Sequence, residues 1–261
     1  MKVITFANQK GGIGKTTSAI TMAAMLKERG YRVLLIDADP QRNSTATYKA
    51  QSDNVATIYD VMVVKSPTER CKLSEAVQHT DFGDIVASDK LMRQADADLL
   101  QDAVGGITRL KRAIKELEAE NLYDFVVIDT NPNIDRIMLN ALVATNDVII
   151  PTSASVYGAM GLADLYEQIK EIHDECNPSL KIAGILVVDY DGRTVFAKSV
   201  HSDLEDIAKT MGTGLFKNAI RSSIKVKESQ AMCKPLNEYA PKCNSTIDYE
   251  AFVDEYLKSF Y

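Results

Sequence analysis

Lys10-Gly11-Gly12-Ile13-Gly14-Lys15-Thr16-Thr17 is the stretch on which the reading of this chain turns. Val3-Ile4-Thr5-Phe6-Ala7 before it reads as a short apolar strand. Ala19-Ile20-Thr21-Met22-Ala23-Ala24-Met25-Leu26 after it has the density of a buried helix. A strand, a glycine-rich turn and a helix start together make a phosphate cradle, because backbone N–H groups and the positive end of the helix dipole converge on one place. Glycine lets the backbone approach phosphate oxygens with no Cβ in the way. The pattern expects Lys15 to reach the β- and γ-phosphates and the Thr16 hydroxyl to ligate Mg2+. Gly11, Gly12, Ile13, Gly14, Lys15, Thr16 and Thr17 are therefore the candidate nucleotide-binding residues.

Outward from this loop, apolar runs alternate with helical patterns. Candidate strands are 2–7, 32–37, 84–87, 125–129, 147–151, 182–188 and 214–216. Val33-Leu34-Leu35-Ile36 and Phe125-Val126-Val127-Ile128 are continuous apolar runs, the mark of parallel strands covered on both faces. Residues 108–119 carry Leu110, Ile114 and Leu117 at helical spacing, and 161–173 carry Leu162, Leu165, Ile169 and Ile172. This order predicts an α/β fold: a doubly wound, mostly parallel sheet with helices on both faces, as in P-loop NTPases. Without repeats or a linker, residues 1–261 read as a single domain. Residues 50–105 give the weakest pattern and carry no expected chemistry.

The composition is that of an ordinary globular chain, 46% hydrophobic and 25% charged over 261 residues. A net charge of −6 argues against coating nucleic acid over the whole surface but leaves room for a local basic patch. No apolar run is long enough to span a bilayer, and Met1-Lys2-Val3 enters a strand directly. A cytoplasmic protein without a signal peptide is the expectation. Cys71, Cys176, Cys233 and Cys243 match no metal or redox spacing and read as reduced thiols.

A phosphate cradle needs a metal site and a group that places water. In open α/β sheets both lie at the carboxyl ends of strands. Two strand ends carry acids here: Leu35-Ile36-Asp37-Ala38-Asp39-Pro40-Gln41 and Val127-Ile128-Asp129-Thr130. The second is a Walker B pattern, with Asp129 expected to hold Mg2+ through water. Bland alternatives for these acids are a helix cap or a turn.

The loop departs from the strict G-x-x-x-x-G-K-[ST] pattern, since Gln9 stands at the first glycine position and a second lysine, Lys10, follows it. K-G-G-x-G-K-[ST]-[ST] resembles the deviant Walker A branch of P-loop ATPases that contains ParA and MinD. Asp37-x-Asp39-Pro40-Gln41 resembles the ParA switch I motif, with Arg42 where that family has glycine. Asp129-Thr130-Asn131-Pro132-Asn133 resembles its switch II loop, with Asn131 and Asn133 replacing a proline and a serine. Thr57 to Met62, Ile149 to Leu162 (with Tyr157) and Ala219 to Ser229 resemble further family segments. The resemblance implies ATP and Mg2+ as ligands and a homodimer in the ATP state, with Lys10 acting across it. It makes Lys10, Lys15 and Asp39 catalytic, with Asp39 positioning water. It places Thr16, Asp37 and Asp129 near the metal. It further implies slow, partner-stimulated hydrolysis, non-specific DNA binding, a ParB-like partner and association with the nucleoid. The chain starts at the P-loop strand, which reads as the shorter subfamily without an N-terminal helix-turn-helix.

Between residues 209 and 242 lie Lys209, Lys217, Arg221, Lys225, Lys227, Lys234 and Lys242, opposed only by Glu228 and Glu238, an excess of five positive charges. Such asymmetry fits a DNA patch or a solvated charged face. By resemblance, Arg193, Lys198, Arg221, Lys225 and Lys227 are the candidate DNA contacts. Two other readings stay open: a MinD-like membrane ATPase and a nucleotide-gated switch with little hydrolysis. Against the first, residues 247–261 form an amphipathic but acidic stretch, including Phe252, Val253, Tyr256, Leu257 and Phe260, expected to dock on the protein core and not on a membrane. An iron–sulfur relative of the fold would need cysteines placed between subunits, and these four are not.

Overall fold

The structure, a computed structural model, describes residues 1–63, 70–102, 105–155 and 161–259. Tyr157 and Phe260, singled out above, lie outside the described residues. The strands are β1 (Lys2–Phe6), β2 (Val33–Ala38), β3 (Val77–Thr80), β4 (Gly83–Val86), β5 (Phe125–Thr130), β6 (Asp147–Ser153) and β7 (Lys181–Val188). They form one sheet in the order β3-β4-β2-β5-β1-β6-β7. The pairs are parallel except β3 with β4. The expected doubly wound sheet is therefore present.

Helices cover both faces. The P-loop helix α1 (Lys15–Glu28) lies on one face; α2 (Asn43–Thr47) follows switch I. On the other face sit α3 (Ile58–Met62), α4 (Ala95–Leu100), α5 (Arg109–Glu120) and α6 (Arg136–Ala144), sharing a core with Leu34, Ile36, Val126 and Ile128. Later come α7 (Leu162–Glu175), α8 (Val195–Thr210), α9 (Ile224–Ala231), α10 (Leu236–Tyr239) and α11 (Asn244–Lys258). The period-two alternation of strands decides where the acids point. Val33 and Leu35 join the core of α1, as do Phe125 and Val127. Asp37 and Asp129 come next in those two series, so both project toward the α1 face. The strands are in register there, with Asp37 opposite Asp129.

Helix α1 buries eleven residues because a second layer covers it. That layer is α11, which places Tyr249, Phe252, Val253 and Tyr256 in the same core. Tyr249 Oη lies 2.9 Å from Ser18 Oγ on α1, and Tyr256 Oη donates to Asp147 at 2.7 Å. Phe216 and Phe252 meet edge to face at 4.7 Å. Each such side chain, fully buried, is worth about 1.5–3 kcal/mol. Among the described residues, the apolar stripe of the last helix is thus spent on the protein core, as its acidic surface suggested. No described helix is long and apolar enough to cross a membrane.

Two expectations need correction. Residues 214–216 are not a sheet strand: only one parallel bridge, Leu215 to Ile185, forms, and Phe216 then turns inward onto Phe252. The antiparallel β3 was not foreseen. Val77-Gln78-His79-Thr80 is a half-exposed edge strand without an apolar run. It pairs with β4 across the two residues Asp81 and Phe82, and Gly83 completes the turn at φ 142°.

Candidate active site

The loop after β1 turns through Gly12 at φ 72° and Gly14 at φ 77°, conformations that a side chain resists. Gly14 is also the N-cap of α1. No side chain caps this helix and no acid occupies its first turn, so its free N–H groups and dipole face the loop without an internal counter-charge. The Lys15 side chain is buried, and its Nζ donates to Lys10 O at 2.9 Å. Burial lowers its pKa, while the charges of Asp129 and Asp39 act the other way. A cavity of about 460 Å3 opens here, bordered by Gly12, Lys15, Thr16, Asp39, Pro132 and Lys234 among others. That size accommodates a nucleotide-sized ligand. Lys10 borders an adjoining hollow of about 270 Å3 with Arg221, Lys227 and Tyr249.

Asp129 and Asp37 are fully buried. Asp129 Oδ1 accepts from Thr16 Oγ1 at 3.2 Å, and Oδ2 accepts from Ser44 Oγ at 2.8 Å. Asp37 Oδ2 accepts from the Thr45 N–H at 2.7 Å and hydroxyl at 2.6 Å, while Oδ1 accepts from Asp39 N at 3.1 Å. Asp39 lines the cavity, and its Oδ1 accepts from Gln41 N at 2.8 Å in a tight turn. Burial raises the pKa of both Asp37 and Asp129, and the Asp37 charge raises Asp129 further.

These shifts predict a pH dependence. A buried acid with a raised folded value costs the fold nothing below the unfolded value, near pH ~4. The cost grows as pH rises through the folded value. Asp129→Asn cannot ionise. Without Mg2+ or nucleotide it should melt above the wild type at about pH 9 and lose that advantage toward pH ~4. Thermal melts at the two pH values check this, and a wild type at least as stable as the variant at the higher pH sinks it.

The switch I departure has a clear structural consequence. Arg42 caps α2 at φ 61°, ψ 32°, the left-handed conformation that glycine adopts freely. A side chain there costs about 1–2 kcal/mol, yet the turn is kept. In switch II, Asn131 Nδ2 donates to Asp135 Oδ2 at 2.6 Å, and Asp135 Oδ1 caps α6 at Met138 N, 3.0 Å away. A hydrogen bond thus ties the loop to α6 where the family has proline; Asn133 is exposed.

The basic region is weaker in three dimensions than along the chain. Arg221 pairs with Asp248, Lys225 with Glu228, Lys209 with Asp206 and Arg193 with Asp191, at 2.7–2.9 Å. Asp206 and Asp248 lie outside the 209–242 span, so a linear count could not include them. Lys198, Lys227, Lys234 and Lys242 are exposed with no acidic partner among the described residues, whereas the Lys217 backbone N–H donates to the Glu255 carboxylate at 3.0 Å. Sequence reasoning missed Ser44 and Thr45, which grip the two acids. It also missed Gln230, whose Nε2 donates to Thr17 Oγ1 at 2.8 Å from 213 residues away. Nothing local marks any of the three.

A P-loop after β1, a buried pair of acids at the ends of neighbouring strands and an open nucleotide-sized cavity define a P-loop nucleotide-binding protein. A family model described as an AAA domain matches residues 1–182, and the chain belongs to that family, within its ParA/Soj branch of P-loop ATPases. The chromosome partitioning protein ParA of Caulobacter vibrioides is 31% identical over 252 residues, covering 95% of this chain and 91% of the relative. Among solved structures, cobyrinic acid a,c-diamide synthase of Mycobacterium smegmatis, with bound ADP and magnesium, is 29% identical at a TM-score of 0.83. It covers 100% of this chain and 95% of its own. A protein of Borrelia burgdorferi named for plasmid partition and bound to AMPPNP is 25% identical at a TM-score of 0.80, covering 99% of each chain.

Proposed function

We propose that this protein is a Mg2+-dependent ATPase that dimerises around ATP, binds DNA without sequence preference in that state, and drives partition of a replicon with a ParB-like partner. The observation that carries the reading is Asp129, buried beside Asp37 and bonded to the first-turn Thr16 of a P-loop that has a second lysine, Lys10. The donor set fits Mg2+: hydroxyl and carboxylate oxygens only, in a pocket where the charges of Asp129 and Asp39 act on one buried cation, Lys15. No three His, Cys, Asp or Glu side chains among the described residues converge to hold a metal alone. That suits an ion which takes part of its shell from phosphate and water. Thr16, with Asp129 and Asp37 behind it, would hold the ion. Mg2+, when bound, neutralises charge on the phosphate oxygens.

The chain's own groups would do the rest. Lys15 leaves the Lys10 carbonyl for the phosphate, where its charge meets the charge that develops on transfer. Asp39, at the cavity wall, accepts a proton from and orients the attacking water. Lys10 reaches the nucleotide of the partner protomer. Residues 1–261 act as one domain, in the cytoplasm and on the nucleoid when ATP is bound.

The exposed, unpaired lysines support the DNA reading better than Arg193, Arg221 or Lys225, whose charges are already matched. One protomer's patch is weak in salt; two on a dimer reinforce each other. Gel shifts on random-sequence duplex test it. Binding should appear with ATP, fade with ADP, and fall on all sequences alike in Lys198→Glu combined with Lys242→Glu, two exposed lysines away from the nucleotide cavity. Equal weak binding in both nucleotide states and in the variant overturns the DNA reading.

A further inference from the structure

Helix α2 is five residues long, too short to hold itself. Its position is set by consecutive residues that grip neighbouring strand ends. Thr45 binds Asp37 through its N–H and its hydroxyl. Ser44, fully buried, gives its hydroxyl to Asp129 Oδ2 at 2.8 Å. The other oxygen of the same carboxylate takes the Thr16 hydroxyl at the longer distance of 3.2 Å. Thr16, Asp129 and Ser44 thus form a continuous chain from the P-loop to switch I. The turn that presents Asp39 and Arg42 leads directly into α2.

We propose that Ser44 is a positioning residue that couples Mg2+ occupancy at Thr16 and Asp129 to the placement of the switch I helix. The proposal rests on the reading of the site as one for Mg2+ and ATP. A change at Thr16 reaches α2 through the carboxylate that both hydroxyls share. A buried hydroxyl carries a desolvation cost unless bonded, so Ser44 follows that carboxylate. Thr45 holds the same helix but touches the other acid, and so lies off this chain. Coupling is reciprocal: if the metal steadies α2, a tethered α2 tightens the metal. Ser44 therefore acts on the metal's affinity without being its ligand.

The test uses the full chain with ATP and two readouts: the Mg2+ concentration giving half of the ATP-dependent thermal stabilisation, and tryptic cleavage after Arg42. Ser44→Ala should raise the Mg2+ midpoint about fivefold or more. It should leave Mg2+-free ATP affinity within about twofold and keep Arg42 cleavable at Mg2+ levels that protect the wild type. Thr45→Val should also loosen α2 and increase cleavage, and by the same reciprocity raise the Mg2+ midpoint, but by clearly less than Ser44→Ala, because Thr45 does not touch the carboxylate that Thr16 shares. Ser44→Cys, of similar size with a weak donor, repeats the measurement if alanine lowers yield and should shift the midpoint in the same direction. An unmoved midpoint in both Ser44 variants, or an equal shift in Thr45→Val, overturns the coupling. A wild type whose ATP binding ignores Mg2+ overturns the site reading and the coupling with it.

Discussion

Lys15→Ala is expected to lower ATP hydrolysis by about a thousandfold or more, toward the detection limit of a phosphate-release assay. The side chain is buried within the cavity wall, where a cation acts in a low effective dielectric. Its present partner is a single carbonyl, Lys10 O, and its nearest charges are Asp129 and Asp39. A phosphate oxygen can take the place of that carbonyl and meet the lysine charge directly. Alanine removes it and leaves Asp39 at the cavity wall, with Asp129 behind it, uncompensated against the incoming anion, so binding of ATP should weaken as well. Calorimetry separates the two losses. Turnover and affinity at wild-type levels in this variant would falsify the assignment of the loop.

Asp39→Ala should cut turnover by about a hundredfold or more while leaving ATP bound. The cause is loss of the acceptor that orients water, since Asp39 is the acid at the cavity wall while Asp37 and Asp129 are held behind it. ATP that cannot be cleaved should accumulate the dimer, seen as doubled mass in light scattering. Lys10→Ala should do the reverse: the Lys15 contact uses the Lys10 carbonyl and survives, so monomer binding persists, but the dimer does not form. A monomer in every nucleotide state, Asp39→Ala included, would remove the sandwich mechanism and leave a nucleotide-gated switch.

The central sheet and the loop were legible in the sequence because their signals are local. Apolar runs such as Val33 to Ile36 name a strand wherever it sits, and Gly12 and Gly14 are needed for a turn their own backbone makes. The helical spacings at 108–119 and 161–173 became α5 and α7 within two residues. The requirement for positive φ at position 42 was legible too, although Arg42 meets it against its own preference. What escaped was set by partners distant in the chain. Ser44 matters because of an acid 85 residues on, and Gln230 because of Thr17. Arg221 reads as a free charge until Asp248 is folded against it. The edge strand β3 escaped because exposure removes the apolar signature on which strand reading depends.

The contact between Ser18 and Tyr249 spans 231 residues. A ribosome makes α1 about two hundred residues before the helix that roofs it. At about 5–20 residues per second, Ile20, Met22, Met25 and their neighbours wait on the order of ten seconds or more for that cover. During the wait, the greasy back of the nucleotide loop is open to any passing chain, which makes it a natural client for a chaperone. Ribosome stalling before residue 244 should leave a nascent chain whose ATP site is already encoded but not yet firm.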